Sequence, residues 1–330
     1  MKVISYVLGV SIVLTLSMNH ISFATEDYPN RPLTVICPYS PGGLSDLQAR
    51  AFAMVAEKYF GKAVVVVNKA GASGMVGVLA VTQADPDGYS VVMAQTAINC
   101  NIEGEIAEGR KPPFARQDFT TIGTFSLTGG AITVAYDHPW KTITDLIRDC
   151  KARPNYYKYG SAGINGMSWI ASELFMMVAG IQCRHVPFKG AGDATTAAIG
   201  KHVDFVTAAI GPTVPLREGK KVRMLALTLP KRPRSVPDVP TLRELGFEKA
   251  DIPIWSGLLA HKKTPENIVK KLREVAEKVA KDKQFVDTIE KSGDEVIFMN
   301  GDEFAKYWDA EAGMVAEVYA RLIKERKLSK

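Results

Sequence analysis

The feature that most constrains this chain is a loop of glycine and small polar residues that recurs between an apolar run and an amphipathic helical pattern. The clearest copy lies within residues 33–46 and contains Pro38-Tyr-Ser-Pro-Gly-Gly43. Altered copies occupy residues 68–74, 159–166 and 187–193. Each loop would aim unpaired backbone N–H groups at one place, because a helix N-terminus carries roughly +0.5 of an elementary charge and attracts anions. Several such loops facing one crevice predict a binding site for a small carboxylate.

The order of strand and helix patterns predicts an α/β architecture. Apolar runs such as Leu33–Cys37 and Ser90–Ala94 alternate with helical periods, then the pattern breaks over residues 98–118, which we interpret as irregular. A second series follows, and a long final helix is expected from about Asp302 to Lys327, packed across the outside of the first domain. The chain therefore predicts two lobes: domain 1 at residues 25–126 and 254–330, and domain 2, inserted, at residues 127–253.

The N-terminus has the pattern of a secretory signal peptide. Lys2 precedes an uncharged apolar stretch at residues 3–18 and a small-x-small site at Ser22-Phe-Ala24. The stretch is shorter than the ~20 residues that span a bilayer, although a membrane anchor is the alternative reading. We expect cleavage after Ala24 and location in the periplasm.

Charge and cysteines exclude several classes of function. The formal net charge is +6 with the basic residues dispersed, so no nucleic-acid partner is expected. The four cysteines have neither zinc-site nor CxxC spacing, and the histidines do not have metal-ligand spacing, so no metal is expected. Cys150 and Cys183 could lie at one sheet edge and form a disulfide, or remain thiols. Cys37 is expected to be a buried thiol.

The loops can also be interpreted as structural turns that bind no ligand. The loop at 39–46 could be an ordinary strand-to-helix turn in which Ser45 and Gln48 have the spacing of a capping box. It is neither a dinucleotide fingerprint nor a phosphate-binding P-loop, and no nucleophile elbow exists, so no cofactor and no enzyme activity are expected. Asp46 is expected to be a helix cap or a supporting residue. Lys189 is either the counter-charge for an anion or a solvated lysine.

An ordered set of motifs resembles a known family, the Bug (TctC-type) extracytoplasmic solute-binding receptors of tripartite tricarboxylate transporters. The resemblance covers nearly all of residues 28–330. The matching segments are Pro38-Tyr-Ser-Pro-Gly-Gly43 with Asp46, Asn68-Lys-Ala-Gly-Ala-Ser-Gly74 with Gly77, Asp87-Gly-Tyr89, Tyr159-Gly-Ser-Ala-Gly163, Glu173-Leu-Phe175, His185-Val-Pro-Phe-Lys-Gly190 and Val203-Asp204.

The resemblance implies a type II periplasmic-binding-protein fold, with two α/β lobes joined by a hinge and the ligand cleft between them. It implies a small carboxylated ligand, membrane permease subunits as partners, and no metal or cofactor. The oligomeric state is open, with a monomer as the default expectation. The ligand-binding residues implied are Tyr39, Ser40, Gly42, Gly43, Ser45, Asp46, Ala72, Ser73, Gln95, Thr96, Ser161, Ala162, Gly163, Asn165, Gly166, Phe188, Lys189 and Asp193.

The chain departs from the family pattern mainly in domain 2. Asn165-Gly166 replaces a usual Gly-Ser, Trp169 a frequent His, and Asp193 a frequent Pro. These changes leave the identity of the ligand open. Asp193 could meet a ligand nitrogen or cap its helix, and we favour the cap. The alternatives for function are a ligand-sensing subunit of a membrane signalling protein and, third, an exported α/β enzyme.

Overall fold

The computed structural model describes residues 28–326, so the predicted signal peptide at residues 1–24 lies outside the described residues. The strands are β1 (Leu33–Cys37), β2 (Val64–Asn68), β3 (Ser90–Gln95), β4 (Phe119–Thr128), β5 (Gly130–Ala135), β6 (Lys158–Ser161), β7 (Arg184–Pro187), β8 (Phe205–Ala209), β9 (Val222–Leu227) and β10 (Ile254–His261). The α-helices are α1 (Leu44–Phe60), α2 (Met75–Thr82), α3 (Ala97–Ala107), α4 (Ile143–Ala152), α5 (Met167–Ala179), α6 (Ala191–Ile199), α7 (Ile210–Glu218), α8 (Glu266–Lys281), α9 (Lys283–Lys291) and α10 (Gly301–Arg326).

The strands form two five-stranded sheets of matching design. The first has the order β2-β1-β3-β10-β4 and the second β7-β6-β8-β5-β9. In each sheet three strands are parallel, and one strand then pairs antiparallel on both of its sides, β10 in the first sheet and β5 in the second. The molecule therefore has two α/β lobes, as the sequence predicts.

The chain crosses between the lobes twice. The first crossing is at Gly129, between β4 and β5, and the second runs through residues 228–253 to β10. The predicted boundary after residue 126 falls inside β4, and the predicted boundary at residue 254 coincides with the start of β10.

Helix α1 shows how the sequence builds the first lobe. Its residues Ala49, Phe52 and Ala56 are buried, and the Phe52 ring lies 5.3 Å from the ring of Phe125 on β4. The helix ends at Gly61, whose φ of +67° is the left-handed cap that glycine adopts without steric cost. This packing fixes the direction in which the start of α1 points.

The capping box predicted at the start of α1 is wrong. The residue before the helix is Gly43, which has no side chain to cap with. The Ser45 hydroxyl instead donates to the carbonyl of Met93 at 2.6 Å, and the Gln48 amide donates to the Ser126 hydroxyl at 2.6 Å. Both side chains tie α1 to the sheet, so the helix start keeps its free N–H groups.

The segment at 98–118, predicted to be irregular, contains helix α3. The prediction failed because Asn99 and Asn101 look like surface residues, yet both are buried. The Asn99 amide donates to Glu311 at 2.9 Å, and the Trp308 indole donates to Asn99 at 2.9 Å. These partners lie about two hundred positions away in the sequence, which no local pattern reveals. Helices α7 and α9 were also not predicted, and α7 contains Pro215.

Helix α10 packs on α3 and β4, which confirms the predicted position on the first domain, and it also reaches α5 of the second lobe. The Tyr319 hydroxyl lies 2.9 Å from the carbonyl oxygen of Cys100 and 2.9 Å from the side-chain oxygen of Asn165. Its ring also faces that of Trp169 at 6.2 Å. The helix therefore contacts both lobes.

The four cysteines all lie within the described residues and are buried, unbridged thiols. The sulfur atoms of Cys150 and Cys183 nevertheless touch, at 3.3 Å. Burial raises the pKa of the Cys37 thiol, as expected for a buried structural cysteine.

Candidate functional site

A small cavity lies between the lobes, with a volume of about 50 Å³. Both lobes contribute to its wall. The lining residues are Tyr39, Gly43, Leu44, Ser45 and Gln95 with Ile254 from the first lobe, and Ala162, Met167, Ser168, Ala171, Ala191, Thr207 and Ala209 from the second. The structure therefore brings together five of the predicted residues: Tyr39, Gly43, Ser45, Gln95 and Ala162.

Three helices begin at this cavity. Gly43 and Leu44 form the start of α1, Met167 and Ser168 that of α5, and Ala191 that of α6. The first backbone bond of α1 runs from the N–H of Leu47 to the carbonyl of Gly43. The N–H groups before it have no partner within the helix. Three such starts give the cavity a positive potential without a cationic side chain.

Asp46 supports the loop of the first lobe and is not among the residues that line the cavity. Its carboxylate accepts bonds from the backbone N–H of Gly42 at 3.1 Å, from Arg50 and from Asn68. Burial by itself would raise the pKa of Asp46, but the hydrogen bonds from Arg50, Asn68 and Gly42 outweigh it and lower the pKa. A carboxylate held this way fixes the turn at Gly42, where φ is +90°.

Ser73 forms an interlobe contact, and Ala72 precedes it as an exposed residue. Both have positive φ values, 45° for Ala72 and 56° for Ser73, which are uncommon for residues other than glycine. The Ser73 hydroxyl donates to the carbonyl of Ile164 in the second lobe. The Tyr39 hydroxyl donates to the carbonyl of Ser73 at 3.2 Å, so the side chain that lines the cavity is anchored by the loop that bridges it.

The loop of the second lobe is organised by Ser161. This side chain is fully buried; its hydroxyl lies 2.6 Å from the Nε2 atom of His185 and accepts the Gly163 N–H at 3.1 Å. Burial lowers the pKa of His185 to about 4, so the ring is neutral at pH 7. Ser161 does not line the cavity. Its hydroxyl supports the loop, and the adjacent Ala162 and Ser168 face the space.

Gly163 and Gly166 lie beside Ser73 at the interlobe contact. A Cβ atom on Gly163 would come within 2.5 Å of the Ser73 hydroxyl oxygen, and one on Gly166 within 3.4 Å of it. Both glycines therefore allow the loops to approach closely.

The second loop of the lobe, at 188–193, contributes less side-chain chemistry. Phe188 is partly buried against the apolar residues around α6 and β8. Lys189 is exposed, in line with the solvated alternative. Ser40 packs against Gly190, where an added Cβ would lie 3.1 Å from that of Ser40. Asp193 is in the first turn of α6 and exposed, and α6 has no side-chain cap, so the favoured capping role for Asp193 is wrong.

Gly42 and Asp193 line an adjoining hollow of about 310 Å³. It shares Gly43, Leu44, Ala191 and Ala209 with the cavity. The hollow therefore lies against the cavity at these four residues.

Two predicted residues point elsewhere. The Thr96 hydroxyl is buried and donates to the Glu311 carboxylate at 2.8 Å, on the side of α10. The Asn165 side chain, with φ at +62°, is buried against Gly104 and Tyr319. Both residues join elements around the site and are not among those that line the cavity.

Sequence reasoning missed eight lining residues. They are Leu44, Met167, Ser168, Ala171, Ala191, Thr207, Ala209 and Ile254. The signal for three of them was available, because Leu44, Met167 and Ala191 are the first residues of the helices that follow the glycine loops. Thr207 and Ala209 lie on β8 and Ile254 is the first residue of β10, and only the tertiary fold brings these strand residues to the cleft.

The other hollow, the potential metal ligands and the helices of the described residues do not suggest a different functional site. A larger hollow of about 730 Å³ lies on the outer side of the second lobe, along β9 and the start of α4, away from the glycine loops. Within residues 28–326 no group of three potential metal ligands is placed to hold an ion. Over the same range, no helix combines the length and apolarity needed to cross a bilayer.

The fold defines a two-lobed α/β protein of the periplasmic-binding-protein type, with a cavity between the lobes. Residues 48–328 match the profile of the tripartite tricarboxylate transporter family receptor, TctC. The chain belongs to this family.

Individual relatives agree with this assignment. The chain is 27% identical to the protein BugT of Bordetella pertussis over 91% of this chain and 93% of BugT. The structure of the periplasmic binding protein BugD superposes with a TM-score of 0.84 at 27% identity, covering 89% of this chain and 98% of BugD. MatC from Rhodopseudomonas palustris, with bound malate, shares the fold at 23% identity, with a TM-score of 0.82 over 88% of this chain and 100% of MatC.

Proposed function

We propose that this chain is exported, closes its lobes around a small carboxylate, and presents it to the membrane permease subunits of a tripartite-type transporter. One observation carries the proposal: the starts of α1, α5 and α6, from both lobes, converge on one uncharged interlobe cavity. A buried carboxylate needs donors for its oxygens. Free N–H groups at three helix starts supply donors without a salt-bridging arginine.

Closure is linked to binding because the donors come from both lobes. A ligand that is held by both lobes stabilises the closed arrangement, since it binds the open arrangement less well. The bond from Ser73 to Ile164 and the contact of Tyr319 with Asn165 then add to closure. MatC, a protein of the same fold, holds malate, which is a small carboxylate in the broad sense used here.

Binding without turnover is part of the proposal. The serine–histidine pair of Ser161 and His185 could suggest a nucleophile, but the Ser161 hydroxyl is fully buried and outside the cavity lining. We expect the bound acid to be recovered unchanged, and chromatography of the ligand after long incubation tests this.

The test is a thermal-shift screen of the exported form, first stripped of bound ligand, against carboxylates, followed by calorimetry. A ligand at a hundred times its dissociation constant should stabilise the protein by roughly 2.7 kcal/mol. The variant Gly43→Asp should lose binding yet fold, because its Cβ meets nothing within 4 Å while its carboxylate occupies the start of α1. Gly313→Asp is the matched control, since Gly313 is exposed on α10 with equal space. Normal binding by Gly43→Asp would refute the proposed site.

A further inference from the structure

The wall of the interlobe cavity is mostly hydrocarbon. The apolar side chains that line it are Leu44, Met167, Ala171, Ala191, Ala209 and Ile254. Among the residues that the structure describes, no charged side chain lines this cavity. The charged residues of the neighbouring loop, Lys189 and Asp193, are exposed.

The side-chain donors in the first lobe are mostly used within the protein. The Tyr39 hydroxyl donates to the carbonyl of Ser73 at 3.2 Å, and the Ser45 hydroxyl donates to that of Met93 at 2.6 Å. Each hydroxyl has one hydrogen. Neither Tyr39 nor Ser45 therefore has a hydrogen left for a ligand.

Thr207 in the second lobe is engaged in the same way. The Ser172 hydroxyl donates its hydrogen to the carbonyl of Ser168 at 2.8 Å, and its oxygen lies 2.8 Å from that of Thr207. With the hydrogen of Ser172 used, Thr207 must be the donor in their mutual bond. Thr207 can accept a hydrogen bond from a ligand but cannot donate one.

Two side-chain donors remain. The Ser168 hydroxyl accepts the N–H of Ala162 at 2.8 Å, which leaves its own hydrogen unused. The Gln95 side chain lines the cavity, and its amide has no hydrogen-bond partner within residues 28–326. Ser168 lies at the start of α5 and Gln95 at the end of β3, so each lobe contributes one donor.

The size of the space limits the ligand. A volume of about 10 to 15 Å³ holds one water, so the cavity of about 50 Å³ has room for roughly three to five waters. An acid held within this cavity, without extending into the adjoining hollow of about 310 Å³, is compact. A second carboxylate would face the hydrocarbon wall, where a charge without donors is costly.

We propose that the ligand of this cleft is a compact monocarboxylate with an apolar body, recognised by the hydroxyl of Ser168 and the amide of Gln95 in addition to the helix starts. This inference rests on the carboxylate-binding function proposed above and narrows its substrate class. In the second lobe, Ser168 sets the preference for a monocarboxylate. It supplies a hydroxyl donor two residues after Gly166, which has no side chain to donate.

Calorimetry with two matched series tests the substrate class. The first series is acetate, propionate, butyrate and isobutyrate, and the second is malonate, succinate and malate. Each methylene added within the cavity should strengthen binding about fourfold until the space is filled, as expected for burial of a CH₂ group. The dicarboxylates should bind at least tenfold more weakly than the best monocarboxylate.

The variant Ser168→Ala tests the assigned donor. A lost hydrogen bond to a charged group should weaken the best monocarboxylate by about tenfold or more. Ser90→Ala, a serine on β3 that does not line the cavity, should bind normally and melt as the parent does. Ser168→Ala also loses the acceptor of the Ala162 N–H, so its affinity is measured at a temperature where circular dichroism shows that it is folded. A dicarboxylate that binds as well as the monocarboxylates, or a Ser168→Ala variant with parental affinity, would overturn this inference and leave the proposed function standing. Failure of all seven acids to bind would likewise overturn this inference, whereas failure of every carboxylate in the thermal-shift screen would overturn the proposed function as well.

Discussion

The buried carboxyl of Glu311 predicts a distinctive pH dependence of stability. Glu311 lies on α10 with 2% of its surface exposed, and it accepts hydrogen bonds from the side chains of Thr96, Asn99 and Trp255. Burial raises the pKa of Glu311 from 4.5 to about 7, although these hydrogen bonds oppose the shift. The carboxyl therefore joins the end of β3, α3 and β10 to α10, and it is partly ionised near neutral pH.

The direction in which stability changes with pH follows from the uptake of a proton by Glu311 on folding. A carboxyl with a pKa of 4.5 unfolded and about 7 folded takes up a proton on folding between those values. Its stabilising effect is complete below pH 4.5 and is lost as the pH rises through 7. The gap between the two pKa values corresponds to about 3 kcal/mol in full, of which about 2 to 3 kcal/mol falls between pH 5 and 8.

The perturbation is Glu311→Gln, which resembles the protonated carboxyl and cannot ionise. Between pH 5 and 8 the parent should lose about 2 to 3 kcal/mol more stability than the variant. Burial also raises the pKa of Asp294, to about 6, but that group is present in both proteins and cancels in the comparison.

The assay is urea denaturation followed by tryptophan fluorescence at pH 5, 6, 7 and 8. Glu317→Gln is the matched control, since Glu317 is exposed on the same helix and should leave the pH profile unchanged. Equal pH slopes for the parent and Glu311→Gln would refute the reasoning.

Three further predictions concern closure and the cysteines. Gly104→Ala should weaken ligand binding while the protein still folds, because its Cβ would lie 2.3 Å from the side chain of Asn165 across the interface between the lobes. A dissociation constant equal to that of the parent, measured by calorimetry, would contradict this. Tyr319→Phe should reduce affinity about fivefold, since a buried hydrogen bond contributes about 1 kcal/mol, and a titration with unchanged dissociation constant would count against the bridge. Cys150 and Cys183 should form a disulfide under an oxidant such as a small-molecule disulfide, raising stability by about 3 to 4 kcal/mol; intact-mass analysis checks the loss of two hydrogens, and persistent thiols would disprove it.

Much of the fold was open to prediction because its signals are local. Strands such as β1 are apolar runs, and α1 has a helical period that ends at Gly61. The failures arise where burial contradicts polarity. Asn99 and Asn101 are polar residues in a buried helix, and their partners come from distant parts of the chain.

The site was predicted in part for a similar reason. Sequence motifs locate the loops, but not the direction of each side chain. Thr96 and Asn165 sit in the expected loops and turn towards α10, whereas Ser168 turns into the cavity. Which way a residue turns depends on hydrogen-bond partners such as Glu311 and Tyr319, and the spacing of motifs does not encode them.

The separateness of the two sheets has a consequence for how such proteins diversify. Each sheet completes its strand pairing within its own lobe. The loops of one lobe can therefore change without altering the scaffold that presents the loops of the other. Most of the departures from the pattern of the family that the sequence resembles, such as Asn165, Trp169 and Asp193, lie in the second lobe, and Ala70 lies in the first. Substitutions in the loops of one lobe can thus alter ligand preference while the other lobe keeps its own loops and scaffold.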